Sequence, residues 1–257
     1  MQIGYCGPVE MGPAALAAGF DYLECPLTSL LAEEDEAAFA PVLAAYRASP
    51  LPVRAFNIFL PRDLKVVGPK VDPERWQRYV EVALSRAQAV GARLIVFGSG
   101  AARQVPELFP RAEATAQLVQ FLRGVADVAA ATGITIAIEP LNRKESNIIN
   151  SVAEGVDLAR QVDRPQIRVL ADFYHMDEEA EPLDHIVKYK DWLAHIHVAD
   201  TGRLAPGTGQ YPYQSFSAQL AEAGYQGMVS IECRWNDFSA EAGPAVEFLR
   251  RVLNGKP

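Results

Sequence analysis

The chain has 257 residues, of which 49% are hydrophobic and 22% are charged, a composition typical of a globular protein. Its net charge of −8 and its pI near 5.1 argue against a nucleic-acid partner, and no apolar run approaches the roughly 20 residues of a membrane span. The sparse cysteines Cys6, Cys25 and Cys233, and an N-terminus without signal-peptide character, predict reduced thiols and a cytoplasmic location.

Short apolar segments alternate with longer segments rich in Ala and Leu along the whole chain. The predicted strands are Ile3–Cys6, Tyr22–Cys25, Val53–Phe59, Leu94–Phe97, Ile134–Glu139, Ile167–Ala171, Ala194–Val198 and Met228–Glu232. The predicted helices are Pro13–Ala18, Glu34–Arg47, Pro73–Val90, Ala112–Ala131, Val152–Val162, Leu183–Tyr189, Tyr213–Ala223 and Ala240–Leu253. Several helices end in a glycine that leads into the next strand, as Gly91 and Gly133 do.

Strict alternation of strands and helices predicts a parallel sheet, because each crossover between parallel strands needs a helix. Eight such units in about 250 residues predict a single (β/α)₈ TIM barrel, with residues 1–257 forming one domain. A doubly wound sheet is the alternative. No G-x-G-x-x-G turn follows the first predicted strand, which removes the usual dinucleotide-binding reason for that fold.

The active site of a (β/α)₈ barrel lies at the carboxyl ends of its strands, and four consecutive predicted strands deliver polar residues there. These residues are Glu139, Asp172, His197 and Glu232. One acidic residue at a strand end is more often a helix cap or part of a surface ion pair. Three acidic residues and a histidine on neighbouring strands predict a metal site instead, and carboxylates with one imidazole suit Mn²⁺, Mg²⁺ or Co²⁺. His195 shares a face with His197, and its position favours a supporting role.

On these residues the sequence resembles the xylose-isomerase-like sugar isomerase and epimerase superfamily, and within it the ketose 3-epimerases of the D-tagatose/D-psicose group. The resemblance extends to three accessory positions defined by their spacing from the ligands. Glu145 stands six residues after Glu139, His175 three after Asp172, and Arg203 six after His197.

The resemblance implies one divalent ion, Mn²⁺ first and Co²⁺ or Mg²⁺ as alternatives, held by Glu139, Asp172, His197 and Glu232. It further implies a sugar substrate whose carbonyl and neighbouring hydroxyl bind the ion, with a cis-enediolate formed at C3. Glu139 and Glu232 would exchange the proton as acid and base, while His175, Arg203 and Glu145 would contact the substrate or steady the site. A homodimer or homotetramer is the implied assembly.

Three alternatives remain open from the sequence. The same metal site would serve an aldose–ketose isomerase of the hydroxypyruvate isomerase type, a dehydratase, or a subunit of a C-glycoside deglycosidase. An abasic-site endonuclease would need three zinc ions and a cationic groove, which four histidines and the net charge of −8 oppose. A barrel that binds sugars without catalysis is the third.

One further motif has two interpretations. The turn Gly98-Ser99-Gly100, which follows the fourth predicted strand, is either a tight turn at the rim or a cradle for an anion. Arg103 nearby favours an acidic or phosphorylated substrate.

Overall fold

The computed structural model describes residues 1–254 and contains the predicted barrel. Eight parallel strands pair in chain order and close on themselves, because β8 pairs with β1. The strands are β1 (Gln2–Cys6), β2 (Tyr22–Pro26), β3 (Val53–Asn57), β4 (Leu94–Phe97), β5 (Thr135–Ile138), β6 (Ile167–Asp172), β7 (Leu193–Val198) and β8 (Met228–Ile231). Their side chains are mostly buried, as expected for strands covered on one side by helices and on the other by the barrel interior.

Within the described residues, ten α-helices connect and cover these strands. They are α1 (Gly12–Ala17), α2 (Glu36–Ala48), α3 (Pro73–Val90), α4 (Gly100–Arg103), α5 (Arg111–Thr132), α6 (Val152–Val162), α7 (Phe173–Glu178), α8 (His185–Lys188), α9 (Tyr213–Glu222) and α10 (Phe238–Leu253). Local chemistry sets the ends of α3: the Asp72 side chain accepts from the N–H of Arg75, and Gly91 takes a left-handed φ of 101° after the last turn.

The structure corrects two predicted elements and adds two short helices. β3 ends at Asn57 and not at Phe59, because Ile58 adopts a left-handed φ of 45° that cannot continue a strand. The helix predicted over Leu183–Tyr189 shrinks to the four residues of α8, and a 3₁₀ turn, Lys190–Trp192, follows it. Helices α4 and α7, which directly follow the ends of strands, were not predicted.

Register places the ends of neighbouring strands at one rim. Asp172 of β6 pairs with His197 of β7, and His197 pairs with Ser230 of β8. The residues just beyond β5 and β8 therefore meet the ends of β6 and β7. Within residues 1–254, no helix has both the length and the apolar character that crossing a lipid bilayer requires.

Candidate active site and metal centre

Four side chains converge at the carboxyl-terminal rim of the barrel. Asp172 is the last residue of β6 and His197 lies in β7, while Glu139 and Glu232 directly follow β5 and β8. One donor atom from each residue lies within 4.8 Å of the donor atoms of the other three. The structure thus brings together all four residues that the sequence predicts as ligands.

The Nδ1 atom of His197 occupies the middle of this cluster. It lies 3.3 Å from Oε1 of Glu139 and 3.6 Å from Oε2 of Glu232, and Oδ2 of Asp172 is 3.9 Å away. His197 Nδ1 and Glu139 Oε1 are buried and make no hydrogen bond. Buried polar atoms rarely lack a partner, and three carboxylates with one imidazole form a donor set for a hard divalent ion. The residues present therefore fit a single Mn²⁺, Co²⁺ or Mg²⁺ ion.

The two carboxylate oxygens of Asp172 make different contacts, one with α7 and one with the cluster. Its Oδ1 accepts from the backbone N–H groups of Tyr174, at 2.8 Å, and His175, at 3.2 Å, and so caps the N-terminus of α7. Its Oδ2 faces His197. The cap fixes the carboxylate plane, which leaves the second oxygen directed into the cluster.

The two glutamates differ in their electrostatic surroundings. Burial raises the pKa of Glu139, and the nearby His197 only partly offsets this. Burial also opposes ionisation of Glu232, but His197 and the Arg203 guanidinium outweigh it and lower its pKa to about 2. Without a metal, the site therefore favours an ionised Glu232 and makes ionisation of Glu139 harder.

His175 presents one ring nitrogen to the site and anchors the other. Its Nδ1 accepts from the backbone N–H of Asn142 at 3.1 Å. In the neutral ring the hydrogen is consequently on Nε2, which is buried, has no hydrogen-bond partner and lies 3.9 Å from Asp172 Oδ2. This arrangement provides an unused donor at the edge of the cluster.

Arg203 connects two of the predicted residues. Its Nη2 lies 2.6 Å from Oε2 of Glu232, and its Nη1 lies 3.1 Å from Oε1 of Glu145. Its guanidinium carbon also lies 5.1 Å from the centre of the Tyr174 ring. Of the three accessory residues that the resemblance implies, Arg203 and His175 therefore border the four-residue cluster directly, and Glu145 is linked to it through Arg203.

A cavity of about 410 Å³ opens beside these residues. Glu139, Glu145, Arg203 and Glu232 line one part of it, and Asn57, Ile58, Leu60, Arg62 and the turn from Gly98 to Ala102 line the remainder. The turn is close to the cluster because its glycines have no side chains. A Cβ on Gly98 would lie 2.1 Å from Glu139 Oε2, and one on Gly100 would lie 2.7 Å from the backbone oxygen of Glu145.

The structure contradicts the substrate-binding role suggested for Arg103. Its side chain is fully buried and donates to the backbone carbonyls of Phe97, at 2.9 Å, and Glu139, at 2.7 Å. Burial lowers the pKa of Arg103 to about 10, and the charge of Glu139 offsets only part of this. Arg103 thus ties together the ends of β4 and β5, and it offers no cation to an acidic substrate.

Two residues at the site were missed from the sequence. Glu24 is fully buried in β2. Its Oε1 lies 2.8 Å from Nε2 of His197, and its Oε2 lies 2.8 Å from Nε2 of His195. Asn57, the last residue of β3, donates from Nδ2 to Glu232 Oε1 at 3.1 Å. A charged residue within the apolar strand Tyr22–Pro26 was a usable signal for Glu24. Asn57 gave no comparable signal.

Comparisons with known proteins identify the family. The sequence matches the family described as xylose isomerase-like TIM barrel over residues 13–252. It is 33% identical over 138 residues to a D-psicose 3-epimerase from Ruminiclostridium cellulolyticum, covering 53% of this chain and 47% of that protein. It is 36% identical over 114 residues to a 3-dehydro-D-guloside 4-epimerase from Escherichia coli, covering 44% of each. The aligned stretch thus spans about half the length of these curated relatives.

A solved structure extends the likeness over the whole barrel. The apo form of a 3-keto-D-glucoside 4-epimerase from E. coli superposes with a TM-score of 0.83 at 26% identity, covering 97% of this chain and 99% of that one. The matched range, residues 13–252, covers nearly the whole described chain. The chain therefore belongs to the xylose isomerase-like TIM barrel family.

Proposed function

We propose that this chain is a divalent-metal-dependent sugar epimerase that inverts a C–H centre next to a carbonyl group, with a ketose inverted at C3 as the first candidate substrate. The relatives support this reaction class. A 3-epimerase acting on a ketose and a 4-epimerase acting on a 3-dehydro sugar both invert the carbon beside a carbonyl. The proton on that carbon is acidified by the carbonyl, so one kind of site serves both reactions.

The observation that carries the proposal is the placement of two glutamates around a single unpartnered imidazole nitrogen. Glu139 and Glu232 lie 3.3 and 3.6 Å from Nδ1 of His197 and extend from β5 and β8. These strands are three places apart around the closed barrel, so the two carboxylates approach the cavity from different sides. Inversion requires this arrangement, because one group removes a proton from one face and the other returns one to the opposite face.

Each polar residue around the cavity then has a defined role. Glu232, kept ionised by His197 and Arg203, accepts the proton when the substrate presents its C–H bond on that side, and Glu139 returns a proton from the other side. The Nε2–H of His175 donates to a substrate oxygen at the edge of the cluster. When bound, the divalent ion would withdraw electron density from the substrate oxygens and so lower the barrier to deprotonation.

Deuterium exchange tests the proposal. The Mn²⁺-loaded protein is incubated in D₂O with ketoses, aldoses and 3-keto-glycosides, and each reaction is stopped with a chelator before the proton NMR spectrum is recorded. We expect deuterium at the carbon beside the carbonyl of at least one sugar, together with its epimer. Glu139→Gln and Glu232→Gln should each lower the rate of epimer formation roughly 10²–10⁴-fold, because inversion needs both acid–base groups.

Glu178→Gln is the matched control, because Glu178 is an acidic residue near the same rim that pairs with Lys144 and not with the cluster. Its exchange rate should stay close to that of the unaltered protein. Formation of the epimer at the unaltered rate in Glu232→Gln would rule out the two-base mechanism. An absence of exchange with every sugar would overturn the epimerase proposal.

A second candidate is an aldose–ketose isomerase, which moves a proton between C1 and C2. The chain is 29% identical over 180 residues to a putative hydroxypyruvate isomerase from Streptomyces coelicolor, an alignment that covers 66% of this chain and 62% of that protein. The same exchange experiment separates the two candidates. Deuterium at C1 or C2, without inversion at C3 or C4, would favour the isomerase.

A further inference from the structure

A carboxylate from the opposite side of the barrel lies beneath the proposed metal centre. Glu24 belongs to β2, whereas the four cluster residues come from the ends of β5 to β8. Its side chain is fully buried and is surrounded by His195, His197 and Ser230, all of which are fully buried as well. A charged group in such surroundings is tolerated only when it is fully hydrogen-bonded.

The contacts of Glu24 divide between its two oxygens. Oε1 lies 2.8 Å from Nε2 of His197, on the side of the ring away from the cluster. Oε2 lies 2.8 Å from Nε2 of His195 and accepts from Oγ of Ser230 at 2.6 Å. The Tyr22 hydroxyl lies 2.8 Å from the same Ser230 Oγ. With its second oxygen held from two sides, the Glu24 carboxylate cannot rotate away from His197.

This contact decides which nitrogen of His197 is available. An imidazole nitrogen that donates to a carboxylate carries a hydrogen and cannot bind a metal ion. Since Nε2 faces Glu24, the lone pair available for a ligand bond is on Nδ1, which is the atom among Glu139, Asp172 and Glu232. A partner on the far nitrogen generally fixes the tautomer and orientation of a histidine ligand.

We propose that Glu24 is a positioning residue that fixes His197 with Nδ1 toward the carboxylate cluster, so that a divalent ion binds there. The inference rests on the metal dependence in the proposed function. The proposal also decides between two groups of residues that could hold an ion and that share His197. The second group is Cys6, Glu24 and His197, whose donor atoms likewise lie within 4.8 Å of one another. In that second group Nε2 of His197 is already occupied by its hydrogen bond to Glu24, so the ion would bind to the four-residue cluster.

Metal affinity is the first test. Glu24→Gln replaces the carboxylate with a neutral amide of the same shape, and calorimetric titration with Mn²⁺ should show affinity weaker by roughly 10–100-fold. Glu181→Gln is the matched control, because Glu181 is a partly buried glutamate whose side chain is only 4% exposed and lies 2.7 Å from Nδ1 of His185, away from the site. It should lose folding stability without losing Mn²⁺ affinity. Unchanged affinity in Glu24→Gln would overturn the proposal.

Spectroscopy on the unaltered protein keeps the proposal testable if Glu24→Gln does not fold. In the Zn²⁺-loaded, ¹⁵N-labelled protein, long-range ¹H–¹⁵N correlation should show His197 with a hydrogen on Nε2 and the metal on Nδ1. The Co²⁺-loaded protein should show no thiolate-to-cobalt charge-transfer absorption. Metal on Nε2, or a thiolate band from Cys6, would overturn the assignment.

These readouts separate this inference from the proposed function. They report metal binding and the state of one imidazole, whereas the epimerase proposal is tested by exchange of sugar protons. Weakened Mn²⁺ affinity in Glu24→Gln, in a protein that exchanges no sugar proton, would support the positioning role and reject the epimerase activity.

Discussion

Arg203 has a backbone conformation that few residues with a large side chain adopt. Its φ is 62°, and it follows Gly202, whose φ is 72°. The buried Asp200 holds this loop, because its carboxylate accepts from the N–H groups of Thr201 and Gly207. Such strain persists only where surrounding contacts enforce it. Here those contacts place the guanidinium between Glu145 and Glu232.

The pH dependence of the exchange rate should reveal the effect of Arg203 on Glu232. The depressed pKa of Glu232 means that its ionised form persists to low pH, and Arg203 is one cause of that depression. In Arg203→Gln the pKa of Glu232 rises, so the acid limb of the rate should move to a pH roughly 1–3 higher. Steady-state rates measured across the acid range would show the displacement.

Arg143→Gln is the control for this shift, because Arg143 pairs with Glu179 outside the cluster. Its acid limb should coincide with that of the unaltered protein. An Arg203→Gln profile that is lowered equally at every pH, with no displacement, would contradict the electrostatic role and indicate a purely structural one.

At the residue scale, the sequence predicted those candidate site residues that strand order alone brings close together. Glu139, Asp172, His197 and Glu232 lie at or just beyond the carboxyl ends of consecutive strands, and consecutive strands of a barrel are neighbours. Glu24 and Asn57 escaped detection because they reach the site from β2 and β3, across the barrel. Contacts of that kind depend on side-chain lengths and on register across the closed barrel. Arg203 was found only through the family resemblance.

The turn between β4 and α4 shows how one element sets the position of another. Gly98 has no left-handed φ, so alanine can adopt its backbone conformation, but an added Cβ would lie 2.1 Å from Glu139 Oε2. Gly98→Ala should therefore displace the Glu139 carboxylate. A displacement near 1 Å at a catalytic group costs about 10²-fold in rate. Exchange kinetics and Mn²⁺ titration would measure the loss.

Gly243→Ala is the matched substitution, because nothing lies within 4 Å of a Cβ added there in α10. It should leave exchange unchanged and stabilise the fold by up to about 1 kcal/mol, since alanine favours a helix over glycine. If Gly98→Ala retained full exchange activity, the close approach between the turn and Glu139 would not be needed for activity.

The sequence predicted the long elements well and the short ones poorly. The bounds of α3 and α6 agree with prediction, because their apolar periodicity and their caps mark both ends. The four-residue α8 and the six-residue α7 are too short for periodicity to define. Helix α7 forms because Asp172 caps it, a tertiary consequence of where β6 ends.

At the scale of the whole molecule, the cluster is a concentration of like charge. Three carboxylates surround one imidazole at a mostly buried rim, and a bound cation would relieve their repulsion. Free Mn²⁺ at 100 times its dissociation constant should stabilise the fold by about 2.7 kcal/mol. For a chain of this length that corresponds to a rise in Tm of roughly 5–11 °C. Calorimetry with and without a chelator measures it.

His197→Gln provides the comparison, because it removes the nitrogen at the middle of the cluster. Its Tm should respond little to Mn²⁺. An equal rise in both proteins would indicate that the stabilising metal binds elsewhere.

Closure of the barrel also bears on aggregation. Each of the eight strands has a partner on both sides, since β1 and β8 pair with each other. The sheet formed by β1 to β8 therefore exposes no row of free backbone donors and acceptors that a strand of another molecule could extend. Growth of intermolecular β-structure from this sheet must wait until the barrel opens. For assembly that starts from this sheet, the relevant quantity is therefore the rate at which the barrel opens.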